Sequence, residues 1–334
     1  MHPPWKIIRR RWFFIPVSLI VLGTAVAIGL IEWAGDQLAS PPRRALMDYH
    51  RDYLSDPEAH GLRINPFTAS DGTPCLVCTP SGYAGERGTL IRKQLAERGA
   101  TLAPFGTVTG TLVLLHGRKG RKEDYLPIAE RLCAAGFRCI LPDLPGHGDH
   151  PVKTITYGVR EAGLPARVLE DAAGRFGFDK QPCGLLGMSM GGSVAVHATA
   201  QADAPWKSLV VIASFDSLLP AIEGQAALRV GGVIAPLWVE AAGKAYERKT
   251  GLALAAVQPR QHAPKVLIPT LIAHGTKDTV TLISSGRKLY DSLPASIEKH
   301  WIEIPAAGHD NVLITDFPIY ATIAEWMIRH VIQP

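Results

Sequence analysis

The chain predicts an α/β protein: a doubly wound, mainly parallel sheet of eight strands, preceded by one N-terminal membrane-spanning helix. Three observations carry that reading. Short runs rich in Val, Leu and Ile recur from residue 61 onward, amphipathic segments separate the later ones, and residues 12–31 hold no charge. Strands this apolar are buried on both faces, which calls for helices on both sides of a largely parallel sheet.

The expected strands are, in order, "LRINPFTA", "PCLVCTP", "TGTLVLLHG", "FRCILPDL", "CGLLGMS", "SLVVIAS", "PTLIAHG" and "HWIEIPAAG". The expected helices between and after them are "DYLPIAERLCAAG", "LPARVLEDAAGRFG", "GGSVAVHATAQA", "SSGRKLYDSLP" and "FPIYATIAEWMIRHV". A length of 334 residues, 47% hydrophobic and 19% charged, suits one large α/β domain rather than a disordered or repetitive chain. Residues 61–334 are assigned to that domain, residues 32–60 to a linker and a helix leading into it. Residues 83–108 lengthen the connection between an early strand and "TLVLLHG". Residues 216–262 take the place of a short helical lid, in which Leu228, Val233, Ile234, Leu237 and Trp238 would either line a pocket or pack the lid down.

Residues 12–31 form an uncharged stretch of twenty, enough at 1.5 Å per residue to cross about 30 Å of hydrocarbon. Trp12 and Trp33 bracket it where aromatic belts sit, and Lys6, Arg9, Arg10 and Arg11 precede it, which places residues 1–11 in the cytoplasm and the domain outside. The rival is a cleaved signal, because Ala25-Val26-Ala27 has the look of a cleavage site and the paired arginines faintly resemble a twin-arginine signal. The net charge of +5 owes four units to that cluster, leaving 31 basic against 30 acidic residues elsewhere. A near-neutral body without a basic stripe argues against a nucleic-acid partner.

An exported chain would normally pair its cysteines, and five leave one over. Cys75 and Cys78 stand three apart in an expected strand, so they point to opposite faces and lie too far apart for a mutual bridge. Small buried apolar side chains are the expectation for most of the five.

"CGLLGMSMGG" sets Ser189 between a buried strand and a helix, the strand-turn-helix context of a nucleophile elbow. A turn that sharp strains the serine backbone, and side chains at Gly187 or Gly191 would collide with neighbouring segments. A serine hydroxyl needs a base. Of twelve histidines, His309 in "IPAAGHDNV" follows the last strand, so its loop opens at the same sheet edge as Ser189. The carboxylate that orients it is assigned to Asp278, at the end of "PTLIAHGTKD"; Asp216, after "SLVVIAS", is the competitor, and Asp310 is too close to His309 to curl back. The order Ser189, Asp278, His309 is that of the fold expected here. An oxyanion hole needs backbone N–H donors. Met190, directly after the nucleophile, and Arg118, reached through Gly117 after "LVLLHG", are expected to supply them, with His116 shaping the loop.

Together these segments, "HG" at 116–117, "DLPGHGDH" at 143–150, "GMSMGG", "HGTKD" and "AGHDN", resemble the alpha/beta-hydrolase superfamily over about residues 61–334. The pairing of "DLPGHG" with "GMSMGG" is similar to that of monoglyceride-lipase-like and serine-aminopeptidase-like hydrolases, which cleave carboxylic esters or release N-terminal residues. A serine at position 189 argues against the dehalogenase and epoxide-hydrolase branches. The resemblance implies a serine hydrolase acting on a small-molecule ester, without metal or organic cofactor. A peptidase, thioesterase or acyltransferase would share every residue named, and an inactive binding protein of the same fold is the alternative of another class. The short lid favours small or medium esters.

Overall fold

All eight strands form, in one sheet whose order from edge to edge is Leu62–Thr68, Pro74–Pro80, Phe137–Pro142, Gly110–Leu115, Cys183–Met188, Ser208–Ile212, Thr270–Gly275 and Lys299–Ile304. A computed structural model describes residues 5–333, with side chains from Ser18 onward, so the side chains of the basic cluster and Trp12 lie outside the described residues. The strands are β1 (Leu62–Thr68), β2 (Pro74–Pro80), β3 (Gly110–Leu115), β4 (Phe137–Pro142), β5 (Cys183–Met188), β6 (Ser208–Ile212), β7 (Thr270–Gly275) and β8 (Lys299–Ile304). β2 is antiparallel to both β1 and β4, and every later pairing is parallel.

The helices are α1 (Trp5–Ala39), α2 (Asp48–Ser55), α3 (Glu86–Glu97), α4 (Leu126–Ala134), α5 (Leu164–Phe176), α6 (Met190–Thr199), α7 (Leu218–Val230), α8 (Ala235–Thr250), the single turn α9 (Pro259–His262), α10 (Ile283–Asp291) and α11 (Ile319–Met327). Strand alternation divides the core into two layers. Leu112, Leu114, Leu186 and Val210 face α3, α4 and α11 on one side. Val113, Leu115, Leu185 and Val211 face α5, α6 and α10 on the other. Cys78 belongs to the first layer and Cys75 to the second, as strand geometry requires. All five cysteines are buried and unpaired.

Residues 83–108, read as a lengthened connection, carry α3, which packs Ile91 and Leu95 into the first layer. Helix α1 runs unbroken to Ala39, so residues 32–39 are helical and not the start of a linker. Glu32 and Asp36 look like the polar end of an apolar span, but they pair with Arg248 and Lys249 of α8. Gly35 lets the two helices cross closely, since a Cβ there would stand 2.4 Å from that of Ala245. Exposed ion pairs contribute only about 0–1 kcal/mol each, so the close crossing and the capping of the helix end hold α1 in place more than its charges do.

Those caps are unusually complete. The last carbonyls of a helix have no intrahelical donor, yet the Asp36 oxygen accepts from Ser40 N–H at 2.7 Å and that of Ala39 from Ile155 N–H at 2.9 Å. The Leu38 oxygen accepts from the Tyr157 hydroxyl at 3.0 Å, and that of Gln37 from the Arg118 guanidinium. The helix Ser18–Ala39 is long and apolar enough to cross a membrane or to be a signal sequence, and Leu19 to Leu22 on it are exposed.

Candidate active site

Parallel strands deliver the loops after β3, β5, β7 and β8 to one edge of the sheet, where α/β folds of this kind bind ligands. Ser189 sits at that edge between β5 and α6, with φ 54° and ψ −119°. Such a conformation costs about 1–3 kcal/mol and persists only where the surroundings over-determine it. Here the Ser189 N–H donates to Ile212 O at 2.8 Å, and the Ser214 hydroxyl donates to Ser189 O at 2.8 Å. The flanking glycines are required by contact: a Cβ at Gly187 would lie 2.1 Å from Gly191 O, and one at Gly191 would lie 2.2 Å from Leu115 O.

The structure brings Ser189, His309 and Asp278 into one chain of hydrogen bonds. His309 Nε2 lies 3.0 Å from Ser189 Oγ, and His309 Nδ1 lies 2.8 Å from Asp278 Oδ2. The loops carrying Asp278 and His309 are stitched to each other: Lys277 N–H donates to Ala307 O at 2.9 Å, and Ala306 N–H donates to Thr276 Oγ1 at 2.9 Å. Asp278 is buried, and burial opposes its ionisation. Hydrogen bonds from His274, His309 and the Thr281 backbone outweigh that penalty and hold its carboxyl well below the usual carboxylate range. An ionised Asp278 fixes the proton of His309 on Nδ1, which leaves Nε2 free to accept one from the serine.

Asp216 is elsewhere engaged. Its carboxylate accepts from the Ser285 hydroxyl and stands 3.6 Å from the Arg260 guanidinium. Two residues that the sequence reading passed over complete the acid's surroundings. Thr281 donates its hydroxyl toward Asp278 Oδ2 and its N–H to Asp278 Oδ1 at 2.9 Å. His274, fully buried on β7, stands 3.4 Å from Asp278 Oδ2 and is bonded to Thr281 O at 2.7 Å. Asp278 Oδ1 accepts the N–H two residues on, that of Val280 at 2.8 Å, as aspartate in a turn commonly does, and reaches that of Thr281 as well.

The loop after β3 turns tightly, with Gly120 N–H on Gly117 O at 3.0 Å and Lys119 at φ 64°. Gly117 stands over the serine: a Cβ there would be 3.4 Å from Ser189 Cβ. His116 is buried and bonded at both nitrogens, donating from Nδ1 to Gly117 O at 2.9 Å and accepting Leu144 N–H at Nε2 at 3.0 Å. Burial lowers its pKa further, so it is a neutral strut of the loop. Met190, as the first residue of α6, has an N–H without an intrahelical acceptor. It lines the same cavity as Ser189, His309 and Arg118.

That cavity measures about 1730 Å³, above the usual range of about 300–1,000 Å³ for a small-molecule site. From α7 and α8, in the segment expected to form the lid, Leu218, Ile222, Trp238 and Val239 line it. The other apolar lid residues named from the sequence neither line it nor pack the lid down: Val233 is 92% and Leu237 71% exposed, and Leu228 and Ile234 are exposed too. They surround the turn between α7 and α8, where the chain has no second layer to pack on. The sequence reading also gave α1 no part in the cavity, yet Trp33, Ala34, Gln37 and Leu38 line it.

Residues 112–324, more than half of the chain, match the model of the alpha/beta hydrolase family. This chain belongs to that family. Among curated proteins, this alpha/beta hydrolase is 42% identical over 52 residues to the alpha/beta hydrolase domain-containing protein aho-3 of Caenorhabditis elegans, a stretch that covers 16% of this chain and 15% of that protein. An esterase of Pyrococcus furiosus has the same fold, with a TM-score of 0.60 at 15% identity over 88% of this chain and 98% of the other. A membrane phospholipase A described as a bacterial virulence factor matches with a TM-score of 0.51 at 16% identity, over 95% of this chain and 98% of its own.

Proposed function

We propose that this protein is a membrane-anchored serine hydrolase that cleaves carboxylic esters through an acyl-enzyme. The observation that carries the proposal is the continuous line Asp278–His309–Ser189, of which His309 and Ser189 line a large cavity. In the first step His309 Nε2 takes the Ser189 proton while Oγ bonds to the ester carbonyl carbon. The tetrahedral oxyanion is held by the N–H groups of Met190 and Arg118, with the positive end of α6 behind it. Collapse breaks the ester C–O bond, and the alcohol leaves with the proton from His309. Water then adds to the acyl-enzyme with His309 again as base, releasing the acid and restoring Ser189 Oγ–H.

The esterase and phospholipase relatives among solved structures support an ester in preference to an amide. A panel of p-nitrophenyl esters of graded chain length beside aminoacyl p-nitroanilides tests the choice. Ester turnover at least tenfold above amide turnover is the expected result; the reverse makes the protein a peptidase. The domain boundaries belong to the same proposal: residues 1–11 cytoplasmic, a spanning segment that begins at 12, and the hydrolase domain from about 61 to 334 outside, with its lid at 216–262.

Anchoring is supported by the exposed apolar surface of Leu19 to Leu22, Val26, Ile28 and Leu30, which finds no protein partner in the domain. The full chain, made in a bacterial host, is expected to stay with membranes through a high-salt wash and to come off only in detergent. Protease added to spheroplasts is expected to reach the domain. Release by salt removes the anchor from the account, and protection from protease reverses the orientation.

A further inference from the structure

The outer end of α1 does more than tether the domain. Trp33, Ala34, Gln37 and Leu38 line the cavity that holds Ser189. The same cavity is lined by Trp238, Val239 and Ala242 of α8, the helix that crosses α1 at Gly35 and Ala245. The same end of α1 is tied to the chemistry through backbone carbonyls. Gln37 O accepts from the side chain of Arg118, whose N–H is assigned to the oxyanion hole, and Leu38 O accepts from the Tyr157 hydroxyl. Tyr157 O in turn receives the Ser193 hydroxyl at 2.6 Å, one turn into the helix that starts behind Ser189.

The distances along the helix give this a consequence. From Ile31, the last residue of the uncharged stretch, to Leu38 is about 10 Å at 1.5 Å per residue. The cavity wall therefore begins within the interfacial layer of the bilayer that α1 would cross. Leu90, Ile91 and Leu313 continue an apolar lining beyond it, in a volume too large for a short ester alone.

We propose that the last turns of α1 form one wall of the acyl site and gauge chain length, and that the substrate is an amphiphilic ester whose long acyl chain lies along α1 and enters from the membrane. The inference rests on the serine-hydrolase reading above and replaces the small or medium ester suggested by the short lid. Ala34 has the smallest side chain of the four α1 residues that line the cavity, so enlarging it adds bulk to that wall and leaves the triad residues unchanged.

The test uses the full chain in phospholipid nanodiscs and two fluorophosphonates, one with a butyl and one with a dodecyl chain, whose labelling rates report directly on Ser189. The wild-type chain is expected to react with the dodecyl probe at least about tenfold faster than with the butyl probe. Ala34→Val, Ala34→Leu and Ala34→Trp should lower the dodecyl-to-butyl ratio progressively, by about tenfold at Trp, the equivalent of about two methylenes kept out of the cavity. Ile28→Trp, at an exposed position about 120° around the helix from Ala34, should leave the ratio where it was. The milder variants and the butyl rate on each sample guard against a misfolded tryptophan variant. A ratio constant across the Ala34 series, or shifted equally by Ile28→Trp, overturns the wall. A wild-type preference for the butyl probe overturns the long-chain substrate. If neither probe labels the wild-type chain, the serine-hydrolase reading itself fails, and the proposal falls with it.

Discussion

Replacing Ser189 by alanine is expected to remove ester turnover and fluorophosphonate labelling while leaving the fold intact. The change deletes one oxygen whose side-chain partner is His309 Nε2 at 3.0 Å. The strained backbone at this position is held by main-chain bonds to Ile212 and by the Ser214 hydroxyl, neither of which the substitution touches. Loss of a nucleophile that acts as one unit with its base costs roughly 10⁴- to 10⁶-fold in kcat. Thermal unfolding should shift by no more than a few degrees. A variant that keeps a tenth of the wild-type rate on a p-nitrophenyl ester would sink the assignment of Ser189.

The second large effect is expected at Asp278. With Asn there, the amide NH₂ facing His309 would donate to Nδ1, so the imidazole proton would move to Nε2 and the ring would lose its capacity to take the serine proton. Such a change lowers turnover by as much as about 10⁴-fold with the geometry preserved. Two backbone N–H groups, of Val280 and Thr281, already bond to Asp278 Oδ1, and an Asn oxygen at that position would keep them. Asp216→Asn is expected to leave turnover within about twofold of wild type, because that carboxylate serves Ser285 and Arg260 rather than a histidine. Kinetics of the two variants side by side decide between the acids. Reversed results would move the role to Asp216.

The central strands β3 to β7 were legible because they are short, nearly continuous apolar runs, whose length and, outside β5, β-branched content favour strand over buried helix. The candidate site was legible for a related reason. Once the strands are parallel, residues just after β5, β7 and β8 must meet at one edge, so Ser189, Asp278 and His309 converge without any knowledge of the loops between them. What sequence could not convey were partnerships formed across long separations. Glu32 and Asp36 read as the polar end of an apolar span because their partners, Arg248 and Lys249, lie more than two hundred residues away. The helix therefore seemed to stop where it in fact docks. The apolar lid residues illustrate the opposite failure, since periodicity states that a helix is amphipathic but not whether its apolar face meets a core, a cavity or solvent. Trp238 meets the cavity, whereas Val233 and Leu237 meet solvent. Thr281 and His274 were missed because neither belongs to a reacting pattern in the sequence; both contact Asp278, whose carboxylate meets His309.

The central claim is that Ser189 becomes covalently acylated. Its most direct test is to react the full chain in detergent with a fluorophosphonate, digest it, and map the adduct by mass spectrometry. The account predicts one adduct, on Ser189 in the peptide spanning "GMSMGG", lost when His309 is replaced by alanine. An adduct on any other residue, or an unmodified Ser189 in a chain that remains folded, would contradict it.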